Sequence, residues 1–493
     1  MHRGASTLRN ILVVLGSSWF SVLVSVSTVL VLPVKLGDSG MGQVTLALSF
    51  TGFFFVLIAL GTSTYLMRAV ARDRQLLSRY ISNALLLRVV MAVLMLGFGV
   101  VLARLLGYSP TSQKLIVIVS IAMFVTSISN VFEAGLQGIG QVSYRSVAVA
   151  AGSVVSTVIG IGLLMLGADV FTYTWSILLG PVVQFAIVIA YYVRMRAITF
   201  NFDLSVMKAL LVGGMPLFIW AFLQTAYAKV DTSLLGVFAP DHVVGWYGIA
   251  AQITGVLVMI PVAINGVVTP MLCELHMRSH RQFEALAGRA MTSSLLLLVP
   301  MGAGLALSSA DIIRLLNYPE AFMNAVPPMV LMSAALPVTG VLMLLSSQAL
   351  AIGYERQWVK ITAFAACTFP LLYMGLIWLF QNGMGNGAIG ASLANLIGEL
   401  VLLALAWVVL PQELRPRGTI TRALQIVALT GVMCSVVVLL QSLGASMAVY
   451  VPAGGLVYAA GAWALKLITP GDLHVVRSAL LRRRLHAEAE AAS

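Results

Sequence analysis

The stretch "QTAYAKVDTSLLG", Gln224 to Gly236, lies inside a long apolar run and carries Lys229 and Asp231 two residues apart. A loop would hold such charges without cost, yet this segment is apolar on both sides. The whole chain has the same character. Its 493 residues are 60% hydrophobic and 9% charged, whereas soluble domains run near 25% charged. Mean hydropathy is +0.99. Apolar stretches of about 20 residues, enough to span hydrocarbon as helices, recur from end to end. The composition predicts an all-α polytopic membrane protein. A transmembrane barrel is excluded, because its strands alternate in polarity over short segments. The run from Asn10 to Val34 is too long for a cleavable signal and reads as the first span. Cys273, Cys367 and Cys434 are scattered, so no disulfide framework, metal or other cofactor is expected.

Fourteen spans are expected, near 10–34, 43–70, 80–106, 113–136, 145–167, 171–193, 207–236, 244–270, 286–309, 325–352, 358–380, 387–410, 420–443 and 447–468. The basic residues test this division. Alternate connecting segments hold 23 of the 29 lysines and arginines, and the other segments hold only Lys35, Arg104, Lys114 and Arg314. Such asymmetry predicts the basic side as cytoplasmic, with both termini on it. The net charge of +12 is then mainly a topology signal that also favours an anionic inner leaflet. It calls for no nucleic acid. The longest loop on the other side, near Ser308 to Asn324, has about 17 residues. That leaves no room for a soluble catalytic domain.

An internal repeat organises the spans. "LQGIGQVSYRSVAVAAG" from Leu136 resembles "ALAIGYERQWVKITAFA" from Ala349, aligning Gly140 with Gly353. "GQVTLALSFTGFFFVL" from Gly42 resembles "GWYGIAAQITGVLVMI" from Gly245, aligning Thr51-Gly52 with Thr254-Gly255. The offsets are 213 and 203 residues. They predict two parallel six-helix lobes around a central cavity, a transporter architecture. The expected units are 1–200 and 201–412 for the lobes, 413–470 for two further spans, and 471–493 for a basic tail.

Polar residues within spans must face the bundle interior, a cavity or a partner. In span 1, Ser18, Ser21, Ser25, Thr28 and Lys35 share one face, either for close helix packing or as a cavity lining. In span 7, Lys229 shares a stripe with Thr225, Thr232 and Gly236, while Asp231 lies on another face with Gln224 and Tyr227. Both charges could instead snorkel to the interface, although an aspartate is short for that. Span 4 carries Asn130, Glu133 and Gln137, and span 12 repeats the spacing with Ser392, Asn395 and Glu399. Span 3 carries Arg88. An intramembrane Glu399 held neutral is a candidate proton site, and Glu133 is a second candidate for ion coupling. A pairing of Glu399 with Arg88 would have to join opposite lobes.

These residues resemble the polysaccharide-type (Wzx-like) flippases of the multidrug/oligosaccharidyl-lipid/polysaccharide exporter superfamily. The similarity is best over "KVDTSLLGVFAPDHVVGWYGIAAQITGVLVMIPVAINGVVTPML", Lys229 to Leu272, and extends to "LGDSGMGQ", "RAVARD" and "GAIGASLANLIGE". The resemblance implies a non-enzymatic flippase. Such a protein moves an undecaprenyl-pyrophosphate-linked oligosaccharide between leaflets of the bacterial cytoplasmic membrane for surface polysaccharide synthesis. It implies a monomer in contact with membrane lipid, with a polysaccharide polymerase and a chain-length regulator as candidate partners. Lys229, Lys35, Arg88 and Arg68 are the cations available for the pyrophosphate, with Ser25 and Thr225 as hydroxyls and Asp231 as a positioning group. A cation-coupled multidrug exporter of the same fold and a membrane-embedded polymerase are the alternatives. The first calls for more intramembrane carboxylates, and the second for longer loops and a paired-carboxylate motif.

The orientation is testable by cysteine labelling in intact cells. A probe at residues 239–243 is expected to react from outside and one at 279–283 only after permeabilisation. Inside-only labelling at 239–243 would contradict the topology.

Overall fold

The computed structural model describes residues 2–195, 201–411 and 419–467, with side chains from Ser27 onward apart from Tyr227 and Thr419. The expected 471–493 tail lies outside them. All the regular structure among these residues is helical. The helices are α1 (His2–Ala59), α2 (Thr62–Arg72), α3 (Leu77–Leu105), α4 (Pro110–Gly138), α5 (Val142–Met165), α6 (Val170–Met195) and α7 (Leu204–Phe238). They continue with α8 (Asp241–Arg278), α9 (His280–Leu315), α10 (Val326–Ala351), α11 (Glu355–Met384), α12 (Gly387–Val409), α13 (Thr419–Ser442) and α14 (Met447–Ala464). Among the described residues, 13 helices are long and apolar enough to cross a membrane.

The difference from fourteen lies in α1. A straight helix of its 58 residues would run ~87 Å, far beyond a ~30 Å hydrocarbon core. Gly37 breaks it with φ 67° and ψ −176°, a conformation that glycine adopts at little cost. The two arms of α1 are therefore the first and second expected spans, joined by one residue where the sequence suggested a loop. The second span is itself interrupted, at Leu60 (φ 48°) and Gly61 (φ 67°), and resumes as α2.

The repeat is visible in the backbone. Gly140 and Gly353 have φ values of 83° and 78° and end α4 and α10 at matching turns. Thr51 and Thr254 are both buried, and their hydroxyls donate to the carbonyls of Ala47 and Ala250 at 2.6 and 2.7 Å.

The two lobes meet where the second arm of α1 crosses α8. A Cβ on Gly42 would lie 1.6 Å from the Asp241 carbonyl oxygen, and one on Gly245 would lie 2.1 Å from that of Asp38. Only glycines permit this approach. Reciprocal hydrogen bonds frame it. Gln43 Nε2 donates to Asp241 Oδ2 at 3.0 Å, and Trp246 Nε1 donates to Asp38 Oδ2 at 3.2 Å. Ser109 and Ser112 at the start of α4 also donate to the Asp241 carboxylate, at 2.8 and 3.1 Å. All these contacts lie at the end of the bundle that carries Gly37 and Pro240, called here the far end. The opposite, basic end carries Arg72, Arg79, Arg145 and Arg278.

The apolar core shows what the crossing does. One continuous cluster at the far end joins Met41, Val44, Leu46 and Phe50 with Val243, Val244, Tyr247 and Tyr373. Toward the basic end the core divides. One part holds Leu66, Ile81, Phe132 and Tyr192, and the other holds Leu272, Phe283, Leu345 and Ile361. The lobes thus share a core at one end and keep separate cores at the other. The α13–α14 hairpin packs on α9, where Tyr450 donates to Asp311 Oδ2 at 2.6 Å and Tyr458 to the Leu296 carbonyl at 2.9 Å.

Helix α7 belongs to both lobes, so the division expected at 200/201 runs through it in space. Its first half is tied to the first lobe. Asp203 pairs with Arg79, its backbone N–H donates to Asn83 Oδ1 at 2.8 Å, and Gly213 lies against the Tyr65 ring. Hydrogen bonds from Ser205, then Arg79, hold the Asp203 carboxyl below the usual carboxylate range. The second half packs against α8, α11 and α12. Pro216 stands between the halves and removes one bond from the helical ladder.

Gly42→Ala is expected to force the crossing apart. Thermal unfolding in detergent should shift down by several degrees, a loss of ~1–3 kcal/mol from overpacking. An unchanged midpoint would show that the crossing carries no stability.

Candidate functional site

The split core leaves a seam between the lobes toward the basic end, and α7 runs along it. Phe222 on α7 meets Phe53 across the seam with ring centroids 5.3 Å apart. The Ser233 carbonyl accepts from Tyr108 at 3.0 Å. Gly236 faces Leu46, whose Cδ1 would lie 2.5 Å from an added Cβ. Lys229 is seven residues after Phe222 and seven before Gly236, so it shares their side of the helix. It is exposed, and it lies between the two levels at which the lobes touch. It is also nine residues from the end of α7, ~13 Å of helical rise. Thr225, one turn before it, is half-buried on a neighbouring stripe.

Asp231 turns the other way, into the second lobe. Its Oδ2 accepts from the Tyr247 hydroxyl at 2.5 Å, and its Oδ1 from the Thr232 hydroxyl at 3.1 Å. The Tyr373 ring on α11 lies within electrostatic reach of both Asp231 and Glu399, and its hydroxyl accepts from Asn395 Nδ2 at 3.5 Å. Glu399 is 6% exposed and lines a cavity of about 210 Å³ with Gln224, Thr339, Ser346, Trp358 and Thr362. The second lobe therefore holds two carboxylates near one tyrosine, one of them lining a cavity of mixed polar and apolar side chains.

The first lobe is different. Arg88 is 1% exposed, and its partners are hydroxyls and a carbonyl on α2 and α4. No carboxylate among the described residues pairs with it, and Glu399 sits in the other lobe as the topology required. Glu133 is 2% exposed, pairs with Arg145 at 3.2 Å and accepts from Ser129 at 2.9 Å. Lys35 is exposed two residues before the Gly37 turn, and Arg68 is exposed on α2 toward the basic end. The side chain of Ser25 lies outside those described. Of the residues singled out in the sequence, the structure brings together Asp231 and Glu399, with Lys229 on the seam beside them. It keeps Arg88, Glu133, Lys35 and Arg68 apart. Tyr247, Tyr373 and the Asp38–Trp246 and Gln43–Asp241 bonds went unnoticed in the sequence. The aligned Gly42 and Gly245 are the signal that could have pointed to the bonds. Among the described residues, no cluster of three His, Cys, Asp or Glu side chains could hold a metal.

Several solved structures share this fold. The lipid II flippase MurJ in an inward closed conformation superposes with a TM-score of 0.72 at 16% identity, covering 92% of this chain and 98% of that one. An inward-facing multidrug resistance MATE family transporter of the MOP superfamily gives 0.63 at 18% identity, covering 83% and 94%. A MOP superfamily transporter from Pyrococcus furiosus gives 0.55 at 17% identity, covering 85% and 94%. At such identities the likeness establishes the fold. Comparison with curated proteins finds no match. A family model described as "Polysaccharide biosynthesis protein" matches residues 7–276, more than half of the chain, and this multi-pass membrane protein belongs to that family.

Proposed function

We propose that the protein is a flippase that moves an undecaprenyl-pyrophosphate-linked oligosaccharide across the bacterial cytoplasmic membrane by alternating access, for surface polysaccharide synthesis. The basic end faces the cytoplasm. The observation that carries this reading is the divided core, shared at the far end and separate toward the basic end, with Lys229 exposed on α7 between the levels at which the lobes touch. A lipid-linked glycan has an anionic head, a polar chain and an apolar tail. The head and glycan would enter the seam from the cytoplasmic side while the tail stays in lipid. Lys229 contacts the pyrophosphate, with Thr225 and Ser25 as hydroxyl donors. Arg68 near the entrance and Lys35 near the exit attract the head group at either end. Asp231, held by Tyr247, fixes the orientation of α7 behind Lys229.

Ion coupling falls to Glu399. It is a carboxylate buried within a span that lines a cavity, where its protonation state can respond to the site, and Asp231 lies nearby as a second acidic group. Glu133 is engaged by Arg145, so its contribution is to hold the first lobe together. A polymerase and a chain-length regulator are the partners such a flippase would serve. A cation-coupled drug exporter would show instead as efflux of organic cations from vesicles.

Complementation of a flippase-deficient strain tests the role of Lys229. Lys229→Arg should keep much of the activity, because the charge is retained. Lys229→Gln and Lys229→Ala should lose most of it at normal expression, since a charge-assisted contact contributes about 1.5–3 kcal/mol, roughly 10- to 150-fold in affinity. Surface polysaccharide at wild-type level in Lys229→Gln would contradict the assignment. In the same assay, Glu399→Gln should flatten the pH dependence of transport. An unchanged pH profile would remove Glu399 from coupling.

A further inference from the structure

Among the described residues, Arg88 is the one buried lysine or arginine, and its surroundings point to a role other than holding a ligand. A guanidinium has five N–H donors, and five contacts answer them. Nη2 meets Ser63 Oγ at 2.6 Å and Thr62 Oγ1 at 3.4 Å. Nε meets Thr62 Oγ1 at 3.4 Å. Nη1 meets Ser127 Oγ at 3.0 Å and the Ser127 carbonyl at 3.2 Å. No direction is left for a phosphate. Burying a charge among neutral partners is costly, so the position has to return something to the fold.

Its location indicates what. Thr62 and Ser63 are the first two residues of α2, immediately after the Leu60–Gly61 interruption. The Thr62 hydroxyl also donates back across that interruption to the Ala59 carbonyl at 2.8 Å. On its other side the interruption touches α7. A Cβ on Gly61 would lie 2.2 Å from the Gly214 carbonyl oxygen, and one on Gly214 would lie 2.7 Å from that of Leu60. Gly214 is two residues before Pro216, where α7 passes from one lobe to the other. The interruption before α2 therefore touches α7 just ahead of its internal proline, and a rigid fork clamps α2 to α4.

We propose that the Leu60–Gly61 interruption and the proline-containing Gly214–Pro216 segment of α7 form a single hinge between the lobes, with Arg88 as the positioning residue that pins its fixed side. Movement of the second lobe then bends α7 at Pro216, while α2 and the first half of α7 stay with the first lobe. The fork is the essential feature, because lysine offers the charge without the planar set of donors.

The inference rests on the flippase reading only for its transport readout. Its structural readout needs no substrate. With the three cysteines replaced by alanine, spin labels at Arg72 and Val193 report α2 within the first lobe, and labels at Val193 and Met277 report the separation of the lobes. Arg88→Met should at least double the width of the 72–193 distance distribution and cut transport at least tenfold, with Arg88→Lys intermediate. Affinity for undecaprenyl pyrophosphate, measured directly, should stay within about twofold. Ser63→Ala, which removes one partner and leaves the charge, should broaden the same distribution less and serves if Arg88→Met does not fold. An unchanged 72–193 distribution in these variants would overturn the hinge anchor. A tenfold loss of pyrophosphate affinity at unchanged width would overturn it too, and would make Arg88 a ligand. Loss of lipid-linked glycan transport from the wild type itself, with the widths behaving as expected, would fault only the flippase reading.

Discussion

Two glycines at the far end set the geometry of everything else. Gly42 and Gly245 let two helix starts come so close that each backbone occupies the space of the other's missing Cβ. At that distance the flanking side chains exchange partners, Gln43 with Asp241 and Trp246 with Asp38. The exchange is reciprocal because the lobes are repeats of each other, 203 residues apart. Direct contact at one end and divergent cores at the other follow from this single crossing. The hydrogen bonds that frame the crossing run to the Asp38 and Asp241 carboxylates, and bonds to charged groups contribute about 1.5–3 kcal/mol each.

The lobes share a plan but differ in the charges they bury. The first lobe spends its buried cation on hydroxyls at a helix interruption and its buried glutamate on an arginine. The second lobe keeps Asp231 and Glu399 near Tyr373, with Glu399 lining a cavity. Charges satisfied internally hold a lobe rigid, whereas carboxylates near a cavity can exchange protons or ions. Under the proposed function, the asymmetry divides the labour between a lobe that anchors and a lobe that responds. α7 carries both roles in one helix, with its first half fastened to α2 and its second half carrying Lys229 and Asp231.

Much of the architecture was legible in the residues. The 23 basic residues on alternate segments fixed the alternation, and the paired Thr-Gly and Gly motifs located the repeat, because a two-lobed fold must reuse the same close approaches. The four-residue spacing of Asn395 and Glu399 put two polar groups on one face of α12. Other features were hidden. A loop was expected between the first two spans, since nothing in "VLPVKLGDSGMGQ" announces that one glycine suffices to reverse the chain. The Leu60–Gly61 interruption was concealed because an isolated glycine within an apolar run usually continues a helix. Tyr247 and Tyr373 could not be read as partners of Asp231, because the hydroxyls arrive from α8 and α11 through tertiary packing. Arg88 looked like a cavity cation for the same reason, since its hydroxyl partners on α2 and α4 are distant in sequence.

The central claim is that this protein carries a lipid-linked glycan through the seam between its lobes. The most direct test reconstitutes the purified protein in liposomes with a fluorescent undecaprenyl-pyrophosphate oligosaccharide in both leaflets. A membrane-impermeant quencher then reads the rate at which the inner-leaflet pool becomes accessible. The account predicts translocation well above that of protein-free liposomes, competed by unlabelled undecaprenyl-pyrophosphate glycan and insensitive to organic cations. A rate equal to that of empty liposomes, with vectorial export of an organic cation by the same preparation, would contradict it.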